Sequence, residues 1–259
     1  MAIDRTEASQ TFDTYVADYD ASNPRIALKV DHTYRGAELC ARIARSIGLS
    51  PDDVDLAWLC GLLHDIGRFE QVRRYDTFND AKSTSHAALG VEILFGEGRI
   101  RDYLPQDEYG DAYDELVRTV VGTHSDFRLP EDLDERTQTF CDILRDADKI
   151  DILKATTLSE PEAIFGVSRE ELLQSELSSA VVDAFYGFRT VRREERVHPA
   201  DFLVGFTCFV FELVYPVSVH IAREQGHALE LLSTPFERPD TARRVSAMRA
   251  RMREWLQEQ

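Results

Sequence analysis

The stretch Leu62-Leu63-His64-Asp65-Ile66-Gly67 decides how this chain is read. It ends an apolar run, Val54, Leu56, Trp58, Leu59, Leu62 and Leu63, that opens on Ser50-Pro51-Asp52-Asp53. Those four residues form a helix start: a capping serine, a proline where a missing N–H costs nothing, and acids at the positive end of the helix dipole. Gly67 lies just beyond the histidine and aspartate, so the helix is expected to finish at that pair. The position matters chemically. In mid-helix, neighbouring side chains diverge by about 100°, which keeps an adjacent imidazole and carboxylate from chelating one ion comfortably. At a helix end there is more freedom, and the carboxylate can bridge two ions while the histidine holds one.

The surrounding sequence is helical too. Ser22-Asn23-Pro24 opens a helix through Ile26, Leu28, Val30, Ala37, Leu39, Ile43 and Ile47, which Gly48 closes. Tyr75 to Ser83 is polar and without period, and reads as a loop. Ser85 caps a third helix through Phe95, ended by Gly96. Further helices are expected at about 111–124, 134–157, 169–189, 200–224 and 240–257. No alternating run of β-branched residues is bounded by hairpin dipeptides, so the expected fold class is all-α. The run Phe202 to Ala222 approaches the length of a membrane span. Glu212 and Pro216 divide it into apolar stretches of only ten residues, too short for a bilayer core. It reads as a buried or interface helix, with His220 as a hydrogen-bonded core residue. The last helix carries Val245, Met248, Met252 and Trp255 as one apolar seam, expected to dock on its own domain.

Composition narrows the classes of function. With 259 residues, 43% of them hydrophobic, the chain can bury a real core. A formal net charge of −17 argues against extended contact with a nucleic-acid polymer or an anionic membrane, both of which need a basic face. An anionic ligand must therefore be small and held by local cations. The four cysteines, Cys40, Cys60, Cys141 and Cys208, have no metal-binding or disulfide-framework spacing. Free thiols and the lack of a charged-then-apolar leader after Met1 lead to the expectation of a cytoplasmic protein.

Four of the seven histidines, His32, His64, His86 and His124, fall in the first 124 residues, each on or at the end of an expected helix. Arg145-Asp146-Ala147-Asp148-Lys149-Ile150-Asp151 adds carboxylates amid apolar positions. Imidazole nitrogen and carboxylate oxygen together suit a borderline divalent ion. The candidates outnumber what one ion takes while leaving an open position, which favours two ions about 3.5–4 Å apart bracketing a hydroxide.

This pattern closely resembles the HD-domain superfamily of metal-dependent phosphohydrolases, in its bacterial branch with a helical C-terminal extension. The resemblance covers about residues 25–155. The LLHDIG block carries most of it, supported by Lys29-x-x-His32-Thr33, Ser85-His86-Ala87-Ala88-Leu89-Gly90 and Asp146-Ala147-Asp148-Lys149-Ile150-Asp151. It implies an HD-domain-like helical bundle, with residues 1–157 as the metal-binding catalytic core including an N-terminal helix, and 158–259 as a helical extension packed on it. It further implies His32, His64, Asp65 and Asp148 as ligands of a first ion, with Asp65 bridging to a second held by His86 and His124. The cofactor is then one or two divalent ions (Fe, Mn, Co, Ni, Zn or Mg), two being favoured by the extra histidines. Arg68 departs from the common His-Asp-x-Gly-Lys form. It can clamp a phosphate bidentately but is poorly suited to donate a proton.

Only four basic residues are lysine, Lys29, Lys82, Lys149 and Lys154, and all fall close to an implied ligand. Lys29 and Lys82, with Arg68, are the expected phosphate-binding residues. Lys154 reads as a solvated residue and Lys149 as a partner of Asp146 or Asp151. Asp151 could orient a histidine from behind, and Asn79 and Asp80 could touch substrate or metal-bound water. The expected activity is hydrolysis of a phosphate ester or anhydride in a small, nucleotide-like substrate by a metal-bound hydroxide. Asp65, His64 and Arg68 are the candidate catalytic residues. Rival readings on the same residues are a di-iron oxygenase and a non-catalytic, metal-dependent ligand sensor. Self-association into a homo-oligomer is open through the 202–222 helix or the C-terminal seam.

Overall fold

Helices begin where their caps stand. A computed structural model describes residues 3–259. Asp4 caps α1 (Arg5–Val16) by accepting the N–H groups of Thr6 and Glu7. Asn23 accepts from Arg25 at the start of α2 (Pro24–Ser46), and Ser50 from Asp53 at the start of α3 (Pro51–Leu63). Each cap satisfies an N–H that the first helical turn leaves without a partner, worth about 1 kcal/mol. α4 (Ile66–Tyr75) follows, ending on Asp76 in the left-handed region. Ser85 caps α5 (His86–Val91), which runs on through a π turn over Glu92–Gly96. Beyond the single turn α6 (Gln106–Tyr109) come α7 (Asp114–Thr123) and the long α8 (Glu135–Leu158). No strand occurs among the described residues, and the fold is all-α.

The chain divides into two compact units, 1–148 and 149–259, with the division inside α8. In the first unit α3 is buried on nearly every side, from Val54 to Leu63. That is the signature of a central helix, and Leu59, Leu62 and Leu63, all fully buried, each contribute about 1.5–3 kcal/mol of burial. α2 lies directly against it. A Cβ on Gly61 would stand 2.6 Å from the Ala37 Cα, so the two backbones touch and no larger residue fits.

The second unit holds α9 (Pro161–Phe165), α10 (Arg169–Leu173), α11 (Ser179–Tyr186), α12 (Pro199–Thr207), α13 (Pro216–Gln225), α14 (His227–Leu231) and α15 (Pro239–Glu258). Two expected helices are broken here. The run 169–189 becomes α10 and α11, because the segment between them binds polar partners: Ser178 donates its N–H and hydroxyl to the fully buried Asp201, and Ser175 accepts the Ala200 N–H. The run 200–224 becomes α12, a 3-10 turn over Cys208–Glu212 and α13. Pro216 disfavours helical backbone at Tyr215, which is extended at φ −96 and ψ 137. Among the described residues no helix is long and apolar enough to cross a membrane. On α15, Val245, Met248 and Met252 are buried, and the Trp255 ring meets Phe211 edge-on within the same unit. His220 is exposed beside Arg223 rather than in the core, because the chain around it is a short surface helix. The four cysteines are buried and unpaired.

Candidate metal centre

The helix ending at Leu63 leaves its last carbonyls without intrahelical partners, and His64 uses one of them. Its Nδ1 donates to the Gly61 carbonyl at 2.7 Å, which turns Nε2 inward. His124, one residue past α7, repeats the device: Nδ1 donates to the Val121 carbonyl at 2.7 Å. His86, the first residue of α5, places Nδ1 2.7 Å from Asp80 Oδ2. His32 comes from α2, carried beside His64 by the Gly61–Ala37 contact, and the two Nε2 atoms are 3.3 Å apart. The Nε2 atoms of His86 and His124 are 3.0 Å apart. All four imidazoles are buried.

Asp65 stands between the two pairs, and each of its oxygens faces one of them. Oδ2 lies 3.5 Å from Nε2 of both His32 and His64. Oδ1 lies 3.5 Å from His86 Nε2 and 3.7 Å from His124 Nε2. Asp148 completes the first side, with Oδ1 3.1 Å from His32 and 3.7 Å from His64. His32, His64 and Asp148 form one group whose ligating atoms lie within 4.8 Å of one another, and His64, Asp65 and His124 form another. The six side chains implied as ligands therefore come together, all within the first unit.

The donor set fits cations. His64 and His124 must be protonated on Nδ1 to meet a carbonyl, and His86 is directed the same way by Asp80, so each neutral ring presents an Nε2 lone pair to the centre. Two such lone pairs 3.0 Å apart repel unless a proton or a metal ion lies between them. Burial opposes charge on His64, but Asp65 and Asp148 outweigh it and push its imidazolium up to about 10. Burial, aided by the Arg68 guanidinium, drives His86 down to about 3 despite Asp80. Burial works against both carboxylates as well. The Lys29 ammonium and the surrounding imidazoles hold Asp65 well below the usual carboxylate range, and His32 and His64 do the same for Asp148. The cluster is thus an anionic hole that recruits positive charge.

The expected phosphate-binding residues divide. Lys29, one turn before His32, places Nζ 2.5 Å from Asp65 Oδ2 and 5.5 Å from the centre of the Phe78 ring. Arg68, in the first turn of α4, sits 5.5 Å from the same ring. Its Nη1 donates to Gln71 Oε1, the Phe78 carbonyl and Asp80 Oδ1. Its Nε is buried without an acceptor, 3.5 Å from Asp65 Oδ1. Lys82 is not brought in: it is exposed on the 3-10 turn Asp80–Lys82, where it forms no ion pair among the described residues. Lys149 donates to the Glu212 carbonyl at 3.1 Å. Asp80 binds the back of His86 through Oδ2 and Arg68 through Oδ1. Gln71, fully buried, was not signalled by the sequence. Its amide donates to Asp80, to the Ser83 hydroxyl and to the Thr84 carbonyl, pinning the loop.

Fold and site together define an all-helical domain with a buried His/Asp centre of a kind that can hold divalent ions. Residues 30–155 match the model of the HD-domain family, and this segment of the chain is an HD domain. The family is generally one of metal-dependent hydrolases. No curated protein and no solved structure matches the chain.

Proposed function

We propose that this protein hydrolyses a phosphate ester or anhydride in a small, nucleotide-like molecule, using divalent ions held by His32, His64, Asp65, His86, His124 and Asp148. The observation that carries the reading is the placement of Asp65, whose two oxygens each face a separate pair of imidazoles. Bound divalent ions supply Lewis acidity, acidifying water and neutralising charge on phosphoryl oxygens. The chain's own groups do the rest. Lys29 offers an ammonium, held on Asp65, at the edge of the ligand set, and Arg68 offers a buried Nε that makes no hydrogen bond among the described residues and stands 3.5 Å from Asp65 Oδ1. Both suit a phosphoryl oxygen arriving beside Asp65. Asp65, kept ionised by Lys29 and the imidazoles, can accept a hydrogen bond from the attacking water and align it. Arg68 stays charged throughout and stabilises negative charge without exchanging a proton. The unpaired buried thiols fit residence in a reducing compartment such as the cytoplasm.

The test is elemental analysis of purified protein followed by a metal-supplemented screen of phosphorylated metabolites under air and under anaerobic conditions. Phosphate release independent of oxygen is expected. His64→Ala and Asp65→Ala are each expected to lose metal content and turnover together. Turnover retained after the metal is gone would remove the mechanism, and oxygen-dependent consumption of substrate would point to the oxygenase instead.

A further inference from the structure

Asp80 lies in the loop between α4 and α5, and each of its oxygens has a separate task. Oδ2 takes His86 Nδ1 at 2.7 Å. Oδ1 takes Arg68 Nη1 at 3.0 Å and Gln71 Nε2 at 2.8 Å. Arg68 and Gln71 can only donate here, and an ionised carboxylate can only accept, so His86 Nδ1 meets Asp80 by carrying the ring proton. The loop that carries it is fixed at several points. Asn79 Oδ1 accepts the Ala81 N–H, the Ser83 hydroxyl donates to the Asn79 carbonyl, and Arg68 Nη1 holds the Phe78 carbonyl. A carboxylate so fixed dictates which nitrogen of His86 carries the proton.

We propose that Asp80 is a positioning residue that sets the tautomer of His86 and, through the same carboxylate, the orientation of Arg68, so that the second cation position and the phosphate clamp form together. The proposal rests on the reading of the cluster as a metal centre. The consequence is specific. His64 and His124 are oriented by backbone carbonyls, which no side-chain substitution removes. His86 is oriented by a side chain, which makes it the replaceable member of its pair. An asparagine at 80 has only one acceptor. If its oxygen serves Arg68 and Gln71, its NH2 faces His86 Nδ1 and drives the ring proton to Nε2, where it blocks ligation. If its oxygen serves His86, the NH2 confronts two donors and Arg68 Nη1 loses one of its three acceptors.

Asp80→Asn, Asp80→Ala and Asp80→Glu in the full chain test this. In metal-free wild-type protein, 15N shifts of the His86 ring should report a proton on Nδ1 and a bare Nε2. In Asp80→Asn and Asp80→Ala the ring should shift toward the other tautomer, while His64 and His124 keep theirs. Titration with Mn²⁺ or Zn²⁺ should show the weaker of two binding steps lowered about 10–100-fold and the tighter one changed by less than about threefold, with Asp80→Glu recovering part of the loss. Thermal unfolding of the metal-free variants separates this from a loosened loop, since a merely structural role would lower the midpoint and weaken both steps alike. Unchanged His86 shifts, or two binding steps at wild-type strength in Asp80→Asn, would overturn the proposal. If wild-type protein binds no divalent ion, the metal reading fails, and the metal-free 15N shifts still decide whether Asp80 sets the tautomer.

Discussion

Two glycines at one helix contact should respond oppositely to the same substitution. Gly67 in α4 faces α5 so closely that a Cβ would stand 2.2 Å from the His86 carbonyl oxygen and 2.6 Å from the Gly90 N. Both neighbours are backbone, so no rotamer change relieves the contact. Reaching ordinary separation requires α4 and α5 to part by about 1 Å, and such overpacking costs about 1–3 kcal/mol. Alanine regains up to about 1 kcal/mol through helix propensity, leaving a net loss of up to about 2 kcal/mol for Gly67→Ala. Gly90 faces the same contact from the other side, yet its Cβ would meet only the Ile66 Cγ2 at 3.5 Å and the Gly67 N and Val121 Cγ1 at 3.6 Å. Those are ordinary contacts, so Gly90→Ala keeps its propensity gain of about 0.5–1 kcal/mol. Urea unfolding of metal-free protein should separate the two midpoints by roughly 1 M for a slope near 2 kcal/mol/M, with wild type between. The separation also displaces His86 from Asp65, so Gly67→Ala should lose the weaker metal step while His32, His64 and Asp148 retain the tighter one. Equal midpoints for the two variants would refute the reasoning, because they would mean that the helices are not in backbone contact at Gly67.

Two further outcomes follow from the charge of the centre and from its arginine. In the metal-free protein the raised His64 pKa means that the cluster carries a bound proton at neutral pH, which a metal ion must expel. Calorimetric titration at pH 7.5 in buffers of different ionisation enthalpy should therefore show release of about one proton, and affinity should fall as the pH is lowered. No proton release would mean that the imidazoles already present free lone pairs. Arg68→Lys keeps the charge but loses the fork that holds the Phe78 carbonyl and Asp80 while leaving Nε available. It should raise KM about tenfold with the tighter metal step intact, and an unchanged KM would remove Arg68 from substrate binding.

The legible part of this protein is what short-range physics specifies. Asn23-Pro24, Ser50-Pro51 and Ser85 start helices because capping and proline geometry act within one turn, and each of those helices begins where its cap stands. The apolar run from Val54 to Leu63 marked α3 as a helix, and the structure buries it. The chemistry of a histidine next to an aspartate, with three more histidines and an acid-rich segment, pointed to a metal centre, and the chain brings those six side chains together. What stayed hidden depends on partners far away in sequence. Gly67 read as a stop signal, but it lies within α4, since what its lack of a side chain serves is the approach of His86 and Gly90. The helix expected over 169–189 is interrupted because Asp201, remote along the chain, binds the Ser178 N–H more usefully than a helical carbonyl could. Asp80 reads from the sequence as a residue able to touch substrate or metal-bound water and Gln71 carries no signal; the folded loop is what puts a carboxylate behind His86. Residue types and local spacing determined which candidate ligands were present; only tertiary packing decided which oxygen of Asp65 faces which imidazole pair, because the helices that carry those side chains meet through glycine.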